Sequence, residues 1–296
     1  GIDFFQAYGS KAYMTMNIAL KDQEIKDAVE MAKVFYEFGL DALIIQDMGL
    51  FKILREAIPD LDLHASTQLT CNNRQGAEFL AELGFKKVVL ARELTIEEII
   101  EITRLLHEQG VESEVFVHGA ECFSYSGQCL FSSFVFNKSG NRGRCLQPCR
   151  LPYETNTGNK GRILSMKDLC TYEIVDQLIE AGIDSFKIEG RLKSEEYIQN
   201  VARVYRKQID KYYNKDLAPP KKGEIVEMKK SYLRDHGNLY LKHDEENTTI
   251  TTLGSLGLPA CKVIGFKGKA PIVEILNDVN KSDKLTRIQD EDYENL

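Results

Sequence analysis

Four of the chain's seven cysteines fall within 28 residues: Cys122, Cys129, Cys145 and Cys149, in the pattern C-x6-C-x15-C-x3-C. A fifth, Cys170, closes the run Ser-Met-Lys-Asp-Leu-Cys. Thiolates at such spacings, on turns rich in Gly, Ser and Asn, can converge on one point. Soft thiolate ligands suit zinc or an iron–sulfur cluster, and ligand type alone does not separate the two. Core burial or pairing is the competing reading. It suits the isolated Cys71 and Cys261 better than the cluster, whose neighbours are turn formers rather than an apolar stripe. No secretory signal is visible, so the thiols are expected to be reduced and the compartment cytoplasmic.

The elements that must hold this loop alternate along the chain. Lys11–Ile18 reads as strand and Asp22–Phe38 as a helix, with Ile25, Val29, Ala32, Phe35 and Tyr36 on one face. Leu40–Ile45 is a buried strand, Leu50–Ile58 a helix, Leu61–Ala65 a strand and Asn73–Leu83 a helix. Lys86–Ala91 is a strand. Glu93–Gln109 is a helix opened by Thr95 with Glu98 three residues on, a capping box. Val115–His118, Ser185–Glu189 and the helices Tyr172–Ala181 and Ser194–Asn214 follow. Such alternation predicts parallel strands covered by helices, as an open sheet or a (β/α)8 barrel. Six βα units can be counted.

The stretch Glu114–Ser132, EVFVHGAECFSYSGQCLFS, resembles the signature of the collagenase-like peptidases, peptidase family U32, departing from it at Glu121 and Phe131. The likeness extends through Asp41–Gly49, His64–Gln68, Val88–Glu93 and Ser185–Lys193. It implies an α/β fold, a (β/α)8 TIM-type barrel that here lacks its first two βα units; the residues after 217 read separately as a small C-terminal all-β domain. The wall should then be open where the first strand ought to meet the one ending at Glu189. Members of the family are named for a collagenase activity. Better-understood ones are oxygen-independent hydroxylases with a [4Fe–4S] cluster, acting on the transfer RNA wobble uridine, a ribosomal RNA cytidine or ubiquinone precursors, with prephenate as oxygen donor. The resemblance assigns Cys122, Cys129 and Cys145 to the cluster and favours Cys170 as fourth ligand, with Cys149 as the alternate.

Barrel sites lie at the C-terminal ends of strands. Those positions supply His64, Arg92, His118, Glu189 and Arg191 as candidate catalytic groups, and Asn17, Asp47, Gln68, Lys187 and Lys193 as candidate substrate-binding groups. Arg92, Lys187, Arg191 and Lys193 would make the mouth cationic, fit for a dicarboxylate or an RNA phosphate. Neither H-E-x-x-H nor G-x-S-x-G occurs, so a peptidase mechanism lacks its usual nucleophile.

The remaining chain divides into a barrel (1–217) with its cysteine loop (119–150), a linker (218–223) and a β accessory domain (224–296). Ile225–Met228, Leu239–Leu241, Thr248–Leu253, Cys261–Phe266 and Ile272–Ile275 are its expected strands, and an acidic tail starts at Asp290. Arg203, Arg206, Lys207, Lys211, Lys215, Lys221, Lys222, Lys229, Lys230 and Arg234, interleaved with Tyr205, Tyr212, Tyr213 and Tyr232, could track an RNA backbone. The net charge of −7 over 296 residues excludes a uniformly nucleic-acid-coating surface. No apolar run reaches the ~20 residues of a membrane span. The reading is an iron–sulfur RNA-base hydroxylase acting on transfer RNA or ribosomal RNA. The alternatives are a collagenase-like peptidase with a protein substrate and a zinc-stabilised RNA-binding protein.

Overall fold

The computed structural model describes residues 1–158, 160–191, 193–231, 235–244, 247–249 and 260–276. A short helix, α1 (Ile2–Ala7), precedes the wall. Next come β1 (Tyr13–Met16), α2 (Asp22–Glu37), β2 (Ala42–Ile45), α3 (Met48–Ala57) and β3 (Asp62–Ala65), then α4 (Arg74–Glu82), β4 (Lys87–Val89), α5 (Ile96–Glu108) and β5 (Glu112–Ala120). The cysteine loop carries α6 (Phe131–Phe136), and β6 (Tyr153–Glu154) and β7 (Lys160–Gly161) form a small ribbon. β8 (Asp168–Cys170), α7 (Val175–Glu180), β9 (Ser185–Ile188) and α8 (Glu195–Tyr213) complete the βα alternation.

Strands β1 to β5 run side by side in chain order, all parallel, and β9 adds in parallel to β5. This is a wall of six parallel strands with helices between them. It is curled. Tyr13 in β1 meets the His64 ring at 4.8 Å and lies 5.2 Å from Lys87 Nζ in β4, although three strand spacings in a flat sheet would span about 14 Å. Among the described residues the wall does not close: β1 pairs only with β2 and β9 only with β5, which is the gap expected between the first strand and the one leading to Glu189.

Local sequence explains the helices. In α5 Thr95 Oγ1 accepts from Glu98 N at 3.3 Å and Glu98 Oε2 accepts from Thr95 N at 2.9 Å. Ile96, Ile99, Ile102, Thr103 and Leu106 are its buried face, each large aliphatic contributing about 1.5–3 kcal/mol on burial. Outward residues of the strands, such as Leu43, Ile45, Leu63, Val88 and Val115, join these helix faces in one core. The inner face is polar: Lys87 Nζ lies 3.0 Å from Glu112, and Lys187 Nζ donates to Glu114 at 2.7 Å.

The C-terminal part differs from expectation. Ile225–Met228 is not a strand but lies in a helix, α9 (Lys222–Ser231), because Met228 is drawn into the core beside α8 and Lys207 pairs with Glu224 at 2.5 Å. Leu239–Leu241 forms a buried 3-10 turn instead of a strand, after the short β10 (His236–Gly237), which pairs with β8. Met228, Leu239 and Leu241 belong to the same core as the wall. Thr248 makes an isolated bridge to Met166, the buried Thr249 donates its N–H to Ser165 O at 2.7 Å, and residues 250–253 lie outside the described residues. The expected strands at Cys261–Phe266 and Ile272–Ile275 form an antiparallel hairpin, β11 (Cys261–Lys267) with β12 (Ala270–Ile275). Tyr232, Arg234 and the acidic tail lie outside the described residues.

Candidate active site

The cysteine loop leaves β5 at the C-terminal end of the wall and is laced to the strand ends beneath it. Asn141 Nδ2 donates to Gln46 Oε1 at 2.9 Å and to Gln68 Oε1 at 2.7 Å, while its Oδ1 accepts from Ala19 N at 3.0 Å. Arg142 pairs with Glu24 and donates to Ala19 O. Gln128 donates to Gln68 O at 2.9 Å, and Ser126 donates through N and Oγ to Glu93 at 2.5 and 2.6 Å. From β9's end Arg191 reaches Gly143 O at 3.1 Å. Gly143 is at φ +73, and a Cβ there would stand 3.0 Å from Arg191 Nη2. The loop thus spans the ends of β1, β2, β3, β4 and β9, closing the mouth on which the strand-end residues converge.

On this strap Cys122, Cys129 and Cys149 are half-buried and Cys145 is exposed, and the thiols act on one another electrostatically. Burial is the main cause of the raised Cys122 and Cys149 pKa values, and the Cys129 and Cys145 thiols push both further up. Backbone N–H groups of Phe131 and Gln147 donate to Cys129 Sγ and Cys145 Sγ, each at 3.3 Å. Hydrogen bonds of this kind stabilise thiolates and tune a bound metal group. Cys170 is elsewhere. It lies in β8, antiparallel to β5, and Lys229, Glu173 and Tyr205 are the side chains that act on it; burial pushes its pKa to about 12. The family resemblance favours Cys170 as fourth ligand; here the β8 ladder holds it opposite His118 of β5. All seven cysteines are unpaired. Among the described residues no three His, Cys, Asp or Glu side chains are arranged to hold a metal ion.

Arg92 is the centre of the mouth. Its guanidinium lies 3.9 Å over the Phe116 ring, with Glu121 Oε2 at 3.5 Å, Glu189 Oε2 at 3.8 Å and Ala120 O at 3.4 Å. Its Nε is buried without a hydrogen-bond partner. Burial raises Glu121 to about 7 although Arg92 opposes the shift. Beside them Asp168 is raised to about 6 by burial, and Lys193, 5.5 Å from the Tyr197 ring, is lowered to about 8 by burial. Arg150 is buried and donates to Glu121 O, Ser165 Oγ and Met166 O at 3.2–3.3 Å. Gly119, at φ +124, lets β5 pass Glu189; a Cβ there would lie 2.6 Å from Glu189 Cβ.

Of the residues singled out from sequence, Arg92, Glu189, Arg191, Lys193, Gln68 and Asn17, which donates to Ser66 at 3.4 Å, are at the mouth. Asp47 is there as a helix cap: its Oδ1 accepts from Leu50 N and its Oδ2 from Leu20 N. Lys187 is not; it points into the wall's interior and is committed to Glu114. His118 is also turned away. The β5–β9 register slips between Phe116 and His118, so His118 stands beside Ile188 where an unbroken ladder would put Glu189. Its Nδ1 then meets Tyr205 Oη at 3.2 Å under α8. His64 precedes the mouth by two residues and lines a cavity of about 230 Å³ at the opposite end, among Lys11, Tyr13, Asp62, Lys86 and Glu112. Sequence reasoning passed over Asn141, Arg142, Arg150, Glu121 and Asp168. The polar Gly140–Gly143 turn was the only signal for the first two.

Both histidines are held at about 4, chiefly by burial, with Lys87 adding at His64 and His236 and Lys193 at His118. Their folded pKa lies below the ordinary 6.5, so between pH 6.5 and 4 the unfolded chain binds more protons. Stability present above pH 6.5 is therefore expected to fall as pH drops toward 4, by up to about 3 kcal/mol per histidine. Urea midpoints measured at pH 7.5, 6 and 4.5 check this. His64→Asn should flatten the fall, and a wild-type midpoint constant over that range would refute it.

These features define an α/β protein with a parallel, curled wall and a thiol-bearing loop strapped across the C-terminal ends of its strands. The chain belongs to peptidase family U32, whose sequence profile matches residues 1–251. It is 42% identical over 217 residues to the 23S rRNA 5-hydroxycytidine C2501 synthase of Escherichia coli (strain K12), covering 71% of this chain and 32% of that protein. It is 35% identical over 224 residues to tRNA hydroxylation protein P1 of Bacillus subtilis (strain 168), covering 72% and 52%. It is 32% identical over 226 residues to a collagenase of Porphyromonas gingivalis (strain ATCC BAA-308 / W83), covering 70% and 53%. The chain therefore spans a third to a half of the length of these enzymes. Among the described residues no helix is long and apolar enough to cross a membrane.

Proposed function

We propose that this chain carries the catalytic wall of an iron–sulfur-dependent, oxygen-independent RNA-base hydroxylase, with the wobble uridine of transfer RNA as substrate and prephenate as oxygen donor. The observation that carries it is four thiols on one strapped loop above strand ends that present Arg92, Arg191 and Lys193, in a chain similar to two RNA-hydroxylating enzymes. A single tetrahedral zinc ion needs its sulfurs within about 3.8 Å of one another, given Zn–S near 2.3 Å. Iron–sulfur clusters are likewise held by Cys thiolates, and the four loop thiols influence one another electrostatically. Cys122, Cys129, Cys145 and Cys149 would hold the cluster, which would supply one-electron and Lewis-acid chemistry at the mouth.

The chain's own groups do the rest. Arg92, Arg191 and Lys193 bind and orient the anionic donor, Arg92 with its plane fixed by Phe116. Glu189 and Glu121 fix Arg92 from either side. The strap of residues 119–150 lies across the strand ends that carry these groups.

Protein purified without oxygen should contain iron and sulfide and show broad visible absorption. Incubated with prephenate and unmodified transfer RNA, it should add one oxygen to a uridine, read by mass spectrometry of the nucleosides. Colourless protein with stoichiometric zinc would overturn the proposal. The peptidase reading rests on the collagenase relative. His118, the histidine nearest in sequence to Cys122, is bonded to Tyr205 rather than to a thiol. Cleavage of gelatin by metal-free protein would support that reading instead.

A further inference from the structure

The cysteine loop is the longest acid-free stretch of the chain, and part of it faces solvent. Acidic residues number 45 in 296, so a stretch of 32 would carry about five. The 32 residues from Cys122 to Tyr153 carry none, while they include Lys138, Arg142, Arg144 and Arg150. The same stretch exposes large apolar and aromatic groups: Phe134 at 83%, Leu130 at 65%, Leu146 at 55%, Tyr125 at 47% and Phe123 at 45%. Lys138 and Arg144 are exposed beside them. An acid-free, cationic surface with solvated aromatic rings, in an acidic protein, marks a binding face. Cations give attraction to phosphates and rings give platforms for unstacked bases.

The basic series on α8 and α9, which sequence favoured for this role, is largely occupied. Arg206 pairs with Asp210 at 2.6 Å, Lys207 with Glu224 at 2.5 Å and Lys230 with Glu227 at 3.4 Å. Lys215 lies 4.5 Å over Tyr212, and Lys229 5.8 Å over Tyr172. Those charges are offset locally or stacked, and their tyrosines with them.

We propose that the solvent face of the cysteine loop, around Phe134, Phe123, Lys138 and Arg144, is the surface that docks single-stranded RNA, stacking unpaired bases directly above the mouth. This rests on the RNA-hydroxylase reading and adds to it where the RNA lies. A base held on this loop would lie beside the loop thiols and the strand-end groups that the loop is laced to. An acidic protein partner would meet the same charges, but solvated aromatic rings and the position over the mouth favour a nucleic-acid loop.

The test is fluorescence anisotropy with a labelled 17-nucleotide anticodon stem–loop RNA and the full chain, purified without oxygen, at several salt concentrations. Phe134→Ala should weaken binding about five- to a hundredfold, the range for losing one stacked base. Lys138→Glu with Arg144→Glu should weaken it further and lower the salt slope by about 1.4, two single-strand phosphate contacts at about 0.7 each. Iron content equal to wild type in each variant shows that the loop is intact. Arg206→Glu on α8 should bind as wild type does. If both loop variants bind like wild type, or Arg206→Glu alone weakens binding, the docking face is wrong and the hydroxylase reading stands. If the wild type fails to bind the stem–loop at all, both fall.

Discussion

Cys149→Ser is expected to lose most of the bound iron, together with the visible absorption, whereas Cys170→Ser keeps both. The same loss is expected for Cys122→Ser, Cys129→Ser and Cys145→Ser. Cys149 is influenced by the other three loop thiols, and it sits on the strap they share. Cys170 is held in β8 against β5, under Tyr205, whose hydroxyl donates to Val117 O at 2.7 Å and accepts from Thr171 N at 2.9 Å. Bringing Cys170 to the loop would break that buried knot. Cys170→Ser places a hydroxyl in an apolar site and should cost about 1–3 kcal/mol of stability, a loss readable in a melting curve without loss of iron. Iron and sulfide analysis of the five variants decides it. A colourless Cys170→Ser beside an iron-replete Cys149→Ser would restore Cys170 as the fourth ligand.

The second large effect is at Arg92. Arg92→Met removes the positive partner of Glu121, whose side chain is 6% exposed, and leaves that carboxyl buried without its counter-charge. Glu121, already raised to about 7 by burial, can then take up a proton, so the loss of stability should be about 1–3 kcal/mol, and product formation should fall below detection because the anionic donor loses its planar clamp. The two effects separate in a double variant. Arg92→Met with Glu121→Gln should recover much of the stability, since no charge is then stranded, yet remain inactive. Recovery of activity in the double variant would reduce Arg92 to a structural counter-ion.

The helices and strands of the wall were legible because each signal was local. Thr95 and Glu98 stand three apart at the head of an apolar period of 3.6, and the capping box forms as read. The short apolar runs between helices can only be buried parallel strands. Local signals failed where tertiary contacts outvoted them. Ile225–Met228 reads as a strand by composition, but spacing Met228 three residues from Ile225 suits a helix against α8, and the core took it. His118 is expected at the mouth as the last residue of the strand Val115–His118; one slipped residue turned it under α8.

The sequence by itself determined the chemistry on offer: the thiol loop, its turn-rich flanks, and Arg92, Glu189, Arg191 and Lys193 at strand ends. Residue type and spacing along one chain are enough for that. Only the tertiary structure decided which of these groups share a site. It gathered Cys149 with the other thiols and left Cys170 aside, sent His64 to the far end of the wall, tied Lys187 to Glu114, and brought Asn141 and Arg142 across more than 70 residues to lace the loop shut. Those choices depend on the curl of the sheet, one register slip and buried pairings between distant segments, which spacing along the chain does not encode.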